Sequence, residues 1–383
     1  MERMSNNDAL SNTSFSATLN HQLADIHYQI RAHIPNVDRL SFALYDRDTD
    51  ILKTYADSAA NGTELSQHSA YLKNLPTLQS CAKTGERRVV NNIEQRFSSH
   101  SHHTKWLLGR GYHSSLAVPV YSQHHFIGIL FIDSHLEDFF TEVIVSALNE
   151  YIDILLISII SEYELVHALL DSTRNHHLSS PRHWSAGAAH RERIWRMTQI
   201  IARDVANAFE LSDEDIENIT QFSRYHDIGK LSIPYNVLSS TEELTPAQRR
   251  LIDEHIEHGV QFVEQIIEQL NHPNHHCVNL LREIVAYHHE YLDGSGYPYH
   301  LHGNDIPPSA RIIAVANIFD ALTSHHPHKQ GCSTIYALLE LEKMVNQGKL
   351  DWHCVNALRE HQDELDDIIR HNPGKDPCIS LIN

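Results

Sequence analysis

The chain has 383 residues, 41% hydrophobic and 21% charged, with 14 Gly and 13 Pro. That excludes disordered, collagen-like and low-complexity architectures and leaves room for two or three domains. Thirty Lys and Arg against 49 Asp and Glu give a net charge of −19, which disfavours general binding to DNA or anionic lipid, although local cations or metal ions can reverse the field for a small anion.

Two residue types stand out. The 32 His suggest metal chemistry, but they also raise the chance that any single His is incidental. The five Cys (Cys81, Cys277, Cys332, Cys354, Cys378) are odd in number and form no C-x-x-C pair, which argues against a disulfide framework or a zinc–thiolate site and suits a reducing compartment.

Residues 1–17 are polar, lack the apolar core of a secretory leader and are expected to form a disordered lead. Helical spacing follows over 20–34 (Leu23, Ile26, Ile30). Strand-like runs come next at 40–45, 51–55, 115–121 and 126–133, the last two forming a hairpin with a four-residue loop at 122–125. An α+β domain with an antiparallel sheet flanked by helices is therefore expected over 18–165.

A connecting helix and linker are expected over 141–182. Its apolar residues (Ile144, Leu148, Tyr151, Leu155, Ile159, Tyr163, Val166) recur every three to four positions, a stripe for its own sheet or for a partner helix. The most apolar run, 151–160, is about half of the roughly 20 residues a membrane span needs. The expectation is a cytoplasmic protein with no membrane insertion.

Beyond Pro181 the pattern is helical at 188–210, 213–226, 245–270, 277–290, 308–323, 333–347 and 351–371. Ser212 reads as a helix N-cap, and Thr245-Pro246 as an N-cap with Pro at the first helical position. The second domain, 183–383, is expected to be all-α, and the protein multidomain.

Two clusters in that domain point to chemistry: His226-Asp227-Ile228-Gly229-Lys230, and His288-His289-Glu290 followed by Asp293-Gly294-Ser295-Gly296-Tyr297-Pro298. Imidazole and carboxylate suit iron, manganese or zinc. Adjacent His-Asp and His-His pairs can reach different ions, or let one carboxylate bridge two. Two such ions would activate a water and clamp phosphate oxygens.

These residues, together with His190-x-x-Arg193-Ile194, His255-x-x-x-Gly259, Ile306-Pro307, Ala310-Arg311-Ile312 and Phe319-Asp320-Ala321-Leu322-Thr323, resemble the HD-GYP branch of the HD phosphohydrolases over about 183–370. The resemblance implies a metal-dependent phosphodiesterase that opens a 3′,5′-cyclic dinucleotide, first of all cyclic di-GMP, to linear pGpG and onward to GMP. 3′,3′-Cyclic GMP-AMP is the alternative substrate. It also implies two divalent ions, iron or manganese before zinc or nickel, held by His190, His226, Asp227, His255, His288, His289 and Asn317. Asp227 and Lys230 are the expected catalytic groups; Tyr297, Gly296, Arg193, Lys329 and His326 are expected at the substrate. Lys230 can also be read as a helix C-terminal cation, and the Gly-Ser-Gly-Tyr-Pro turn as a folding or partner-docking element.

Three positions depart from the family. Asn317 stands where Asp is usual and brings no charge. Ala186 replaces a Glu associated with a third metal. His326-Pro327-His328-Lys329 replaces an Arg-Pro-Tyr-Arg/Lys run, leaving Lys329 without the bidentate Arg. A degenerate domain acting as a cyclic-dinucleotide receptor or protein-docking module is the alternative these departures motivate.

Over about 18–165 the chain resembles a GAF domain, through Thr84-Gly85-x-x-x-Val89-Val90, Gly111-x-x-Ser114-Ser115-Leu116-x-Val118-Pro119-Val120 and Ile127-Gly128-x-Leu130-Phe131-Ile132-Asp133. Such domains bind small ligands or only dimerise, and both remain open. The resemblances further imply a homodimer through this domain and its helix, and docking of GGDEF-domain proteins near the Gly-Tyr-Pro turn.

Overall fold

The computed structural model describes residues 18–58, 68–96, 102–178, 187–240, 244–324 and 331–373. Helix α1 (Leu19–His33) starts where the Thr18 hydroxyl accepts the His21 amide. It lies on a six-stranded antiparallel sheet of order β3-β2-β1-β6-β5-β4. The strands are β1 (Arg39–Asp46), β2 (Ile51–Asp57), β3 (Ser69–Tyr71), β4 (Arg88–Val90), β5 (Ser114–Ser122) and β6 (His125–Ser134).

β5 and β6 pair from Ser114↔Ser134 to Ser122↔His125, so the hairpin loop is two residues, not four. Gln123 and His124 both have positive φ (47° and 66°), the pattern of a type I′ turn whose twist matches the strands. The short strands β3 and β4 escaped the sequence pattern because three residues are too few to show alternation.

The α+β domain is sandwiched. One sheet face packs Leu116, Val118, Leu130 and Ile132 against Leu23, Ile26 and Ile30 of α1 and Leu148, Ile152, Leu155 and Ile159 of α5 (Glu142–Leu178). The other face packs under α2 (Pro76–Thr84), α3 (Ile93–Arg96) and α4 (His102–Gly109). Arg39 is buried in the sheet and donates to Asp57 and Asp133, both at 2.8 Å, tying β1 to its neighbours.

The stripe on α5 serves both domains in turn: Leu148 to Ile159 lie in the sheet core, while Val166 and Leu169 lie in the helical core. Val143, Ile154 and Ile157 are exposed on the other side. The ten-residue estimate of the apolar run was too short. Glu142–Asn175 is long and apolar enough to cross a membrane by length and composition, though one of its faces is spent on the two cores.

The second domain is all-α among the described residues. It comprises α6 (Ala188–Phe209), α7 (Asp213–Phe222), α8 (Tyr235–Leu238), α9 (Pro246–Asp253), α10 (His255–Gln269), α11 (His276–Tyr287), α12 (Pro308–Thr323), α13 (Thr334–Asn346), α14 (Trp352–Glu360) and α15 (Gln362–His371). The single helices expected at 245–270 and 351–371 are each divided, at Glu254 and at His361. Thr245 and Ser212 both cap as expected, each inside a reciprocal capping box. Ser212→Ala is expected to cost about 1 kcal/mol, measured as a lower urea midpoint for the helical domain.

The domains meet along a polar seam. Asn20 donates its backbone and side-chain nitrogens to Glu214 Oε2 (3.0 and 3.3 Å), Lys53 pairs with Glu217 at 2.7 Å, and Tyr55 donates to Glu162 on α5 at 3.0 Å.

Candidate metal centre

The His-Asp pair sits between two tight turns. Residues Ser223–Tyr225 and Ile228–Ser232 are 3-10 segments, with His226 closing the first and Asp227 opening the second. Gly229 explains how His255 reaches them. A Cβ there would lie 1.8 Å from the His255 carbonyl oxygen and 2.5 Å from Gly259 N. The HD-x-G and H-x-x-x-G patterns thus mark one close backbone crossing between the second turn and α10. His190 comes from the first turn of α6, and His288 caps α11, followed by His289.

Four of the five imidazoles are held by the outer nitrogen. Nδ1–H of His226 donates to Ser223 O (2.8 Å), that of His255 to Ile252 O (2.6 Å) and that of His288 to Ile284 O (2.9 Å). A carbonyl can only accept, so the proton is on Nδ1 and Nε2 carries a bare lone pair. His190 Nδ1 likewise donates to Asp320 Oδ2 at 2.7 Å.

The four Nε2 atoms divide between the two oxygens of Asp227. Those of His226 and His190 face Oδ2 at 3.2 and 3.8 Å; those of His255 and His288 face Oδ1 at 3.2 and 3.5 Å. Two donor groups result, His190–His226–Asp227 and Asp227–His255–His288–His289, each with its ligand atoms within 4.8 Å of one another. Asp227 belongs to both.

Five atoms here are buried without a hydrogen-bond partner: Asp227 Oδ1 and the Nε2 atoms of His226, His255, His288 and His289. Such an orphan costs about 1–3 kcal/mol, and lone pairs facing a carboxylate repel. Cations between them remove both penalties, so the residues fit a pair of divalent ions. Burial, then the neighbouring His288 and His255, hold His289 well below the usual imidazole range; burial also lowers His255 and His288. Burial alone would raise Asp227, but the charge of Lys230 beside it holds it well below the usual carboxylate range. Asp227, His255, His288 and His289 therefore offer their donor atoms without losing a proton.

Lys230 Nζ lies 2.7 Å from Asp227 Oδ2 on the partly open side of the centre. The Tyr297 ring stacks on His289 at 4.8 Å, its hydroxyl buried without a partner.

Two expected substrate residues have other tasks. Arg193 is buried, with Nη2 donating to Asp320 Oδ2 (3.0 Å) and Ser324 Oγ (2.7 Å), Nη1 to Asn372 O (2.8 Å) and Nε to Asp320 Oδ1. Its fork is used internally, so it holds Asp320 rather than substrate. Gly296 is buried where a Cβ would lie 2.3 Å from Tyr291 N; its smallness permits backbone packing. Asn317 is half-buried on α12, one turn before Asp320. His326, Lys329 and Ala186 lie outside the described residues.

Asp320 and Glu290 were not read as site residues. Asp320 fixes the tautomer of His190, and buried Glu290 accepts the amides of Tyr299 (2.7 Å) and Leu301 (3.0 Å), fastening the Gly-Tyr-Pro loop. Both stand inside quoted motifs; the acid directly after His289 was the available signal for Glu290, whereas Asp320 meets His190 only through the fold, 130 residues apart.

A profile of the HD domain matches residues 170–353, and one of the GAF domain matches residues 23–158. The chain is 36% identical over 169 residues to the cyclic di-GMP phosphodiesterase response regulator RpfG of Xanthomonas campestris, covering 44% of this chain and 42% of that one. It is 34% identical over 162 residues to the 3′3′-cGAMP-specific phosphodiesterase 2 of Vibrio cholerae, covering 42% and 29%. It is 32% identical over 188 residues to a cyclic di-GMP phosphodiesterase of Thermotoga maritima, covering 49% and 48%. The chain thus spans less than half the length of each of these relatives. Sheet, helical bundle, converging imidazoles and both profiles agree that this chain joins a GAF domain to the HD domain that follows it.

Proposed function

We propose that the HD domain is a metal-dependent phosphodiesterase that opens a 3′,5′-cyclic dinucleotide, cyclic di-GMP before 3′,3′-cyclic GMP-AMP, to the linear dinucleotide. The observation that carries this reading is the division of Asp227, one oxygen facing each histidine group. Two bound divalent ions would supply Lewis-acid polarisation of the phosphate and an attacking water of lowered pKa.

The residues do the rest. His190, His226 and Asp227 Oδ2 would hold one ion, and Asp227 Oδ1, His255, His288 and His289 the other. With only nitrogen and oxygen donors, iron or manganese suits the centre, with zinc or nickel as substitutes. Lys230 keeps Asp227 ionised and places a cation where it can stabilise charge on a phosphate. Tyr297, stacked on His289, offers a ring wall for a base and a hydroxyl for a hydrogen bond.

The test is incubation of anaerobically purified, manganese- or iron-loaded protein with each cyclic dinucleotide, followed by product chromatography. Linear dinucleotide is expected; intact substrates after long incubation with a full metal complement would overturn the reading. Tight calorimetric binding without turnover would instead support a receptor, the reading that Asn317 favours because an amide adds no charge. Asn317→Asp is expected to raise manganese content or turnover several-fold, since a carboxylate binds a hard cation better than an amide; no change in either would remove this position from the ligand set. The exposed Val143, Ile154 and Ile157 on α5 support a homodimer along that helix, checked by light scattering of the full chain.

A further inference from the structure

A second donor cluster lies at the joint between the domains. Glu162 comes from α5, and His275 and Cys277 from the start of α11. Their ligand atoms lie within 4.8 Å of one another, and Glu162 and Cys277 are buried. Glu162 Oε1 accepts from Tyr55 Oη at 3.0 Å. Glu162 Oε2 and His275 Nε2 are only 2.6 Å apart, yet neither has an aligned hydrogen bond. Nearby, Glu214 Oε1 and Asn218 Nδ2 are also buried without partners.

We propose that Glu162, His275 and Cys277 form a binding site for one zinc-type divalent cation, separate from the HD centre, that fastens the GAF-side helix α5 to α11. Thiolate, imidazole and carboxylate together suit zinc, and the HD centre offers no sulfur. Bonds of about 2.0–2.3 Å in a tetrahedral site place ligand atoms roughly 3.4–3.6 Å apart. Glu162 Oε2 and His275 Nε2 therefore separate by about 1 Å to admit the ion. Coordination removes the Cys277 thiol proton. His275 Nδ1 accepts the Cys277 amide at 3.3 Å, which puts the ring proton on Nε2; coordination through Nε2 moves that proton to Nδ1, 3.2 Å from the Cys277 sulfur, whose thiolate can accept it. One proton is released in all.

Two further observations support the site. Glu162 and Asn218 line a cavity of about 490 Å³ between the domains, which gives an ion a path inward. Burial and then the charge of Glu162 hold Glu214 well above the usual carboxylate range; a cation at Glu162 offsets the second of these. The location gives the ion a mechanical role. α11 has the cluster at its first turn and His288–His289 at its last, about 18 Å apart along its 12 residues. This inference stands whether or not the HD centre hydrolyses cyclic dinucleotides.

The test uses the full chain, stripped with chelator and titrated with cobalt(II). A near-ultraviolet thiolate-to-cobalt charge-transfer band is expected, with an amplitude at saturation that corresponds to one thiolate-bound cobalt per chain. It should disappear in Cys277→Ala, fall in Glu162→Gln and persist in Asp227→Asn, with circular dichroism confirming that each variant folds. Zinc content should drop by one equivalent in Cys277→Ala. A wild-type protein that shows no such band at any cobalt concentration overturns the proposal without reference to any variant. A band undiminished in folded Cys277→Ala overturns it equally.

Discussion

Replacing Asp227 by Asn is expected to lower cyclic di-GMP turnover by more than about a thousandfold, or ~4 kcal/mol of transition-state stabilisation. The substitution preserves shape and removes charge. Both oxygens matter because each faces a different histidine group; an amide presents one weak acceptor and one donor that repels a cation. Bound manganese should fall in the same preparation, while far-ultraviolet circular dichroism stays unchanged. The ion pair of Lys230 with Asp227 at 2.7 Å would also be lost. A variant that keeps its metal and its rate would show that the carboxylate does not bridge the two groups.

Asp320→Asn is expected to act on stability and on the centre together. Arg193 and Asp320 are both buried, and Asp320 accepts from Nε and Nη2. Burial alone would raise Asp320, but His190 and Arg193 hold it far below the usual carboxylate range. Removing the charge strands a buried guanidinium, at a cost of about 3–5 kcal/mol. The same oxygen that pairs with Arg193 Nη2 orients His190, so metal affinity should fall by roughly 10–100-fold. A purely structural role would lower the denaturation midpoint and leave manganese affinity, measured well below that midpoint, unchanged. Partial rescue of turnover by excess manganese is expected only if Asp320 positions His190.

The helical half was legible because its signals are local. Residues 308–323 were read to the residue, with Pro308 entering as the first helical residue and apolar positions following. Ser212 and Thr245 announced their caps in the same way. The division of 245–270 was not legible: Glu254 interrupts no hydrophobic pattern, and the break places His255 by tertiary contact. Arg193 illustrates the limit from the other direction. A guanidinium in a phosphodiesterase motif suggests phosphate, and only the fold shows that Asp320, Ser324 and Asn372 take its donors.

By itself the sequence determined the GAF and HD domain classes and nominated the histidines and aspartate that the fold brings together, because residue type and short spacing carry those signals. The tertiary structure alone decided which Asp227 oxygen faces which imidazole. It also decided what holds the outer nitrogens of His190, His226, His255 and His288, and that Glu162 meets His275 and Cys277 more than a hundred residues away along the chain. Those are facts of direction and distance between separate helices, set by packing around the shared α5 and by the Gly229–Gly259 crossing, and no local pattern encodes them.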